Sequence, residues 1–242
     1  MMDYVCRQLL KVEESDWWRR GVRDRANWFL ERYGAGGKIL DVGCGGGYFL
    51  AKLPNSWQKW GIDISPVMVE KARERDLKKI RLGKMENLPY ADNFFDTVTA
   101  LDVLEHVRRE DVGLREMRRV LKPRGVLILN VPAYQWLWSY HDVTQDHVRR
   151  YTREQLAEKL RREGFEMIRA TYSFMWLVPL ALVFRAVERR LGMKRRTDVG
   201  VANGWMGKIL YWASLVELQL MKIVVLSAGT SVMLAARKIK YD

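Results

Sequence analysis

The sequence predicts an α/β fold, a mostly parallel sheet with helices on both faces. Three observations predict it. Short β-like apolar runs alternate with helical stretches from "KIL" at 38–40 to "GVLILNV" at 125–131, and strands separated by helices need crossover connections, which pair them in parallel. A glycine-rich turn lies directly behind the first run, in "ILDVGCGGG" at 39–47. Such a turn lets a ligand lie against the carboxyl edge of a parallel sheet, where a side chain would otherwise intrude. The chain has 242 residues, 48% hydrophobic and 29% charged, enough for one sizeable core in a single domain over 1–242.

From Glu13 to Tyr33, Trp17, Trp18, Val22, Ala26, Phe29 and Leu30 recur at mostly helical intervals before "YGAGG", so a leading helix is expected. "KIL" and "KWGIDI" read as strands, "YFLAKL" and "SPVMVEKARERD" as helices. Ser65 is placed to cap the latter, with Pro66 in its first turn. The strands "KIRL" and "FDTVTAL", the helix "EDVGLREMRRVL" and the strand "GVLILNV" follow. Beyond Pro132 come an aromatic, histidine-bearing loop, "AYQWLWSYHDVTQDHVRRY", a helix capped by Thr152, and the strand-like "FEMIRATYSF". An apolar segment without strand character runs to about Ser227, and "GTSVMLAARK" reads as the last strand.

The formal charge of +13 favours contact with a polyanion: nucleic acid, an anionic bilayer or a phosphorylated substrate. The first residues lack the basic, apolar and small-residue pattern of a signal peptide. Cys6 and Cys44 form no metal-spaced set and suggest no disulfide framework, so a reducing cytoplasm is expected.

Spacing narrows the ligand of the glycine turn. A phosphate-binding loop needs Gly-Lys-Ser/Thr, which does not follow Gly47, and a dinucleotide fingerprint needs glycine where Tyr48 stands. Asp41, Gly43, Gly45 and Gly47 instead fit acidic-x-Gly-x-Gly-x-Gly. This stretch resembles the first motif of the class I S-adenosylmethionine-dependent methyltransferases, of the quinone-biosynthesis-like group. The similarity continues in order through "GIDIS", "MENLPYADNFFDTV", "LDVLEHV" and "VLKPRGVLILNVP".

The resemblance implies a Rossmann-like seven-stranded sheet, ordered 3-2-1-4-5-7-6 with the seventh strand antiparallel, and S-adenosylmethionine as cofactor. It implies that Asp63 bonds the ribose, with Ile64 beside it. Gly43, Gly45 and Gly47 would pass beneath the methionine moiety, and Asp41 would fix the turn and the amino group. Met85 and Glu86 would flank adenine, and Leu101 would also contact the cofactor. Many relatives carry Asp where this chain has Lys84; lysine cannot accept from the adenine amino group, so Glu86 or backbone takes that part.

Methyl transfer from a sulfonium is an in-line displacement, so the protein chiefly aligns the reactants and excludes water. Residues beyond the sheet's carboxyl ends are the candidates: His147 first as general base, then His141 and His106, each with a carboxylate beside it. The same face offers Tyr134, and Arg149 and Arg150 to grip a phosphate or carboxylate on the acceptor. Pairing of these arginines with Glu154 is the structural alternative. No third ligand at helical or turn spacing completes a metal site. The resemblance also implies that the aromatic-basic segment holding Trp17 and Trp18, within residues 1–36, folds over the cofactor as an N-terminal helical lid and helps bind the substrate. Anchoring of the helix on the core is the alternative; adjacent helical positions point about 100° apart, so both cannot face the same way and one is free for another task.

The fold needs only a short hairpin between strands six and seven, yet residues 174–229 intervene. "FMWLVPLALVF" precedes Arg185, Arg189, Arg190, Lys194, Arg195 and Arg196, and a second apolar helix spans about 203–226. The first run is too short to span a bilayer, which takes ~20 residues. An apolar helix beside a basic run suits an interfacial segment; packing of the two helices on each other or across a homodimer is the alternative. The expected function is methyl transfer to an amphiphilic or lipid-linked small molecule, in the cytoplasm and peripherally on the inner face of an anionic membrane. An RNA methyltransferase is less favoured, because the basic residues are mixed with aliphatic runs and no RNA-binding module is visible. A non-catalytic subunit that binds cofactor and anchors a partner at the membrane is the third reading.

Overall fold

The computed structural model describes residues 2–191 and 204–239. Its strands are β1 (Lys38–Val42), β2 (Gln58–Asp63), β3 (Ile80–Leu82), β4 (Phe95–Leu101), β5 (Leu121–Pro132), β6 (Phe165–Ser173) and β7 (Ser231–Lys238). They form one seven-stranded sheet ordered β3-β2-β1-β4-β5-β7-β6. β7 alone runs antiparallel to its neighbours, the expected topology. The helices are α1 (Met2–Val12), α2 (Trp17–Tyr33), α3 (Tyr48–Lys52), α4 (Pro66–Glu74), α5 (Glu110–Val120), α6 (Tyr140–Thr144), α7 (Arg153–Arg162), α8 (Leu177–Leu191) and α9 (Trp205–Ile223).

The core lies where the central strands are covered on both sides. Ile39, Leu40, Val98, Leu127, Ile128 and Leu129 are wholly buried, as near-continuous apolar strands of a parallel sheet should be. Across the β5–β7 seam, Leu127 and Ile128 face Ala236 and Ala235; small residues opposite large ones keep the antiparallel strand close. Ser65 accepts from the Met68 amide at the start of α4, and Thr152 caps α7 in a reciprocal box with Gln155.

The leading helix departs from expectation. It does not begin at Glu13: α1 ends at Val12, and Asp16 caps a new helix by accepting from the Arg19 amide at 2.8 Å. Aspartate at an N-cap offers the first turn a partner that helical periodicity alone does not register.

The insertion forms α8 and α9, and α9 packs on α2 and β6. Glu217, which the apolar pattern treats as an interruption, faces inward. Its Oε1 accepts from Arg25 Nη2 at 2.9 Å and from the Phe174 amide at 2.5 Å, and its Oε2 from the Met175 amide at 2.6 Å. Arg25 is fully buried, donates also to Ser214 Oγ at 2.7 Å, and lies over the Phe174 ring. The outer face of α9 instead carries Trp205, Ile209, Trp212, Val216, Leu220 and Ile223, all exposed and spaced three or four apart. The helix thus buries Leu218 and Met221 together with Ser214 and Glu217, and is apolar on its outer face as well. Among the described residues no helix is long and apolar enough to cross a membrane. Lys194, Arg195 and Arg196, and the side chains of Arg185 and Arg189, lie outside what the structure describes.

Candidate functional site

The glycine turn leaves β1 and is held by backbone, the Gly43 and Cys44 amides both donating to the Ile62 carbonyl at 2.8 and 3.1 Å. Its three motif glycines have left-handed φ but different reasons for lacking a side chain. A Cβ at Gly43 would strike Val103, and one at Gly47 would strike Leu77 and Ala72. At Gly45, with φ +53°, the nearest heavy atom stands 3.9 Å off. Gly43 and Gly47 therefore serve close packing, whereas Gly45 leaves an open cradle at the sheet's edge.

Asp63 closes that cradle. Its Oδ2 accepts from the Gly45 amide at 2.8 Å and its Oδ1 from the Ser65 amide at 2.9 Å, and each oxygen keeps a further acceptor position. Burial raises its pKa against the pull of the Ser65, Gly45 and Ile64 amides. Asp41 lies deeper, accepting from Thr99 Oγ1 at 2.6 Å. Burial, with Asp63 adding to it, pushes Asp41 up to about 7. Ile64 is exposed, and so is Leu82, the register partner of Asp63 on β3; two apolar side chains thus flank the carboxylate. The junction after α1 covers the turn from the other side. Arg75 bonds Glu13 Oε2 at 2.8 Å and the Gly46 carbonyl, while Arg23 donates to the Glu13 carbonyl at 2.7 Å.

The second half of the site lies beyond β4 and β5. Asp102 has φ +56° and accepts from Asn130 Nδ2 at 2.6 Å, which joins the two strand ends. A short 3-10 turn, Leu104–His106, follows. Glu105 there is wholly buried, and neither carboxylate oxygen has a hydrogen-bond partner. Burial, reinforced by Asp102, drives its pKa well above the usual carboxylate range. The aromatic loop folds back onto this turn, the Val148 amide donating to the Glu105 carbonyl at 2.8 Å.

All three histidines meet there. The ring centroids of His106 and His147 are 4.7 Å apart, those of His141 and His147 6.1 Å. His147 Nδ1 lies 2.8 Å from Asp142 Oδ1, and its Nε2 lies 4.0 Å from Glu105 Oε1. Burial tends to raise the Asp142 pKa, but bonds from His147 and Arg150 outweigh it and hold the carboxyl well below its ordinary value. Loss of hydration around the ring, then the neighbouring His147, pushes His106 down to about 4 although part of the residue faces solvent.

Several expected contacts fall elsewhere. Arg150 is spent on Asp142, donating at 2.7 and 2.9 Å, and on the Ala133 carbonyl. Arg149 pairs with Glu110 at 2.7 Å. Both guanidinium groups thus pair with carboxylates other than Glu154: Asp142 of α6 and Glu110 at the start of α5. Trp17 and Trp18 do not divide their tasks: Trp18 stacks on Phe174 at 4.0 Å and Trp17 meets the same ring edge-on at 6.2 Å, because Phe174 is large enough to be reached from both positions. Met85 is buried, and its sulfur sits where Gly113 of α5 leaves room, so its side chain is core. Glu86 is partly exposed and Leu101 packs beside the Trp17–Phe174 cluster. Tyr134, with φ +57°, lies between Trp136 and Tyr172, stacked at 5.4 and 5.0 Å.

Sequence reasoning passed over Leu82, Asp102 and Asn130. Leu82 carried one available signal, an apolar residue at the end of a short strand; the Asp102–Asn130 bond joins strands that only the fold brings together.

Residues 40–129 match a family model described as a methyltransferase domain. The chain is 34% identical over 190 residues to an uncharacterized 37.1 kDa protein in transposon Tn4556 of Streptomyces fradiae, covering 71% of this chain and 54% of that one. It is 37% identical over 103 residues to the ubiquinone/menaquinone biosynthesis C-methyltransferase UbiE of Paraburkholderia phytofirmans, covering 39% of this chain and 42% of that one. The chain therefore spans about half the length of the curated relatives it matches. Among solved structures it is similar to the [4+2]-cyclase SpnF, with a TM-score of 0.61 and 26% identity over 93% of this chain and 83% of that one.

Proposed function

We propose that this chain is a class I S-adenosylmethionine-dependent methyltransferase, a reading supported by the matching methyltransferase domain and relatives, and that it transfers a methyl group to an amphiphilic or lipid-linked acceptor at a membrane surface. The family's cofactor is S-adenosylmethionine. When bound it supplies an electrophilic methyl group on a sulfonium.

The residues present fit that cofactor. The cradle at Gly45 leaves space beside a carboxylate with acceptor capacity to spare, which suits a ribose diol better than a pyrophosphate. Ile64 and Leu82 offer apolar faces for a purine. The arm formed by Glu13 and Arg75 shields the turn from water, and exclusion of water matters for a displacement in which hydrolysis competes. A fold shared with a cyclase does not by itself name a reaction; the residues at the two strand ends must carry it. At the acceptor side Asp142 fixes the direction of His147, leaving its Nε2 turned toward Glu105.

The apolar outer stripe of α9 is the observation that carries the acceptor class. Contiguous exposed apolar surface on a soluble domain marks an interaction site, and this stripe lies on the helix that α2 and Phe174 tie to the rest of the molecule. With a net charge of +13, an anionic bilayer is the surface it suits. The test is incubation of the protein and cofactor with anionic vesicles made from a bacterial lipid extract. One acceptor species gains the mass of one methyl group, and Trp212→Ser lowers its yield severalfold in vesicles while leaving cofactor affinity unchanged. Equal turnover of a water-soluble acceptor by both proteins, with no vesicle-bound product, contradicts the reading.

A further inference from the structure

We propose that Glu105, His106 and His147 form a binding site for one divalent transition-metal cation at the acceptor side. The proposal deepens the methyltransferase reading, on which it rests for the site's purpose but not for its chemistry.

Four observations carry it. One ligand atom from each of the three residues lies within 4.8 Å of the others. Donors that share an ion at about 2.1 Å stand at most about 4.2 Å apart, so small rotations of the side chains complete the set. Glu105 is the second observation. A fully buried carboxylate with both oxygens unpartnered is costly, and a cation between it and the two imidazoles removes that cost.

The third is the support behind the ligands. His147 turns Nδ1 to Asp142, whose own position is fixed by Arg150 and by the Ser139 amide at 2.7 Å. This is the carboxylate–histidine arrangement that orients metal-bound imidazoles and raises their basicity. The His106 ring lies edge-on against the His147 ring, with centroids 4.7 Å apart. The fourth is location. The set sits next to Asp102 at the end of β4 and is reached from solvent through His106.

Spacing along the chain does not reveal this set, because the third ligand comes from the loop after α6 and not from the neighbourhood of His106. Two imidazoles and one carboxylate favour Zn2+, Mn2+, Fe2+ or Co2+ over Mg2+ or Ca2+. Three protein ligands leave coordination positions open. An acceptor oxygen bound there becomes more acidic, so the acceptor class is narrowed to hydroxyl-bearing amphiphiles.

The test uses untagged full chain, stripped with chelator and titrated with Zn2+ by calorimetry and with Co2+ by visible absorption, with S-adenosylmethionine affinity measured in parallel. One equivalent per chain at micromolar or tighter Kd is expected, with a Co2+ band that His106→Asn and Glu105→Gln each weaken at least 30-fold. His106 is exposed, so its variant keeps the fold; the thermal midpoint checks both. Absence of stoichiometric binding, or binding that both folded variants retain, overturns the proposal. Loss of cofactor binding in the wild type would instead strike the methyltransferase reading and leave the metal result standing.

Discussion

Gly45 and Asp63 show how far a single residue type can be read. Glycine at position 45 is demanded by φ +53° and by nothing packed against it; a left-handed non-glycine residue costs roughly 1–2 kcal/mol. Gly36 has φ +71° and also no neighbour within 4 Å. Gly45→Ala and Gly36→Ala should therefore destabilise the chain similarly, by about 1 kcal/mol in denaturant melts. Only Gly45→Ala should also weaken S-adenosylmethionine, at least tenfold by calorimetry; equal affinities would remove Gly45 from the pocket. Asp41 makes a second prediction. Its folded pKa near 7 stands above the ordinary 3.8, so the folded state binds its proton more tightly. The associated stability is complete below about pH 4 and is lost as pH rises through 7, on the order of 4 kcal/mol. Asp41→Asn should abolish that loss, so melts between pH 5 and 8 should show the variant gaining on the wild type as pH rises. A constant difference would refute the assignment. The motif glycines and Asp63 were legible because turn, strand end and ligand edge are neighbours in the chain. The partners of Arg149 and Arg150 were not, since Glu110 and Asp142 are brought to them by the fold.

At the scale of elements, periodicity placed every strand, because buried parallel strands are apolar throughout and glycine or capping residues punctuate them. It misjudged α9. α9 is apolar on both faces, with Leu218 and Met221 buried beside Glu217 and an apolar stripe outside, so no pattern along the helix says which face meets the core. The buried Arg25–Glu217 pair decides it. Removing one partner of such a pair leaves a buried charge and costs about 3–5 kcal/mol, so Glu217→Ala should lower the thermal midpoint by roughly 10 °C. Arg25→Met with Glu217→Leu should recover most of the loss. A double variant as unstable as the single one would show that the charge is not what holds α9.

Over the whole molecule, one sheet brings two separate constellations to the same edge. The cradle of β1 and β2 is local and its motif is dense; the histidine–carboxylate cluster is assembled from β4, β5 and the loop after α6, and its members are scattered in the chain. That difference explains why the cofactor half could be read from residues 39–63, whereas the acceptor half supplied only residue types. The chain also exposes an apolar stripe on one side of a strongly basic molecule, and its purpose follows only if the cradle holds what the family holds. Calorimetric titration of the wild type and of Asp63→Ala with S-adenosylmethionine tests this most directly. Saturable binding at one site per chain is predicted, weakened about 10- to 100-fold in the variant, since hydrogen bonds to a charged group contribute about 1.5–3 kcal/mol. Absence of binding to the folded wild type, or equal affinity in the two proteins, would contradict it.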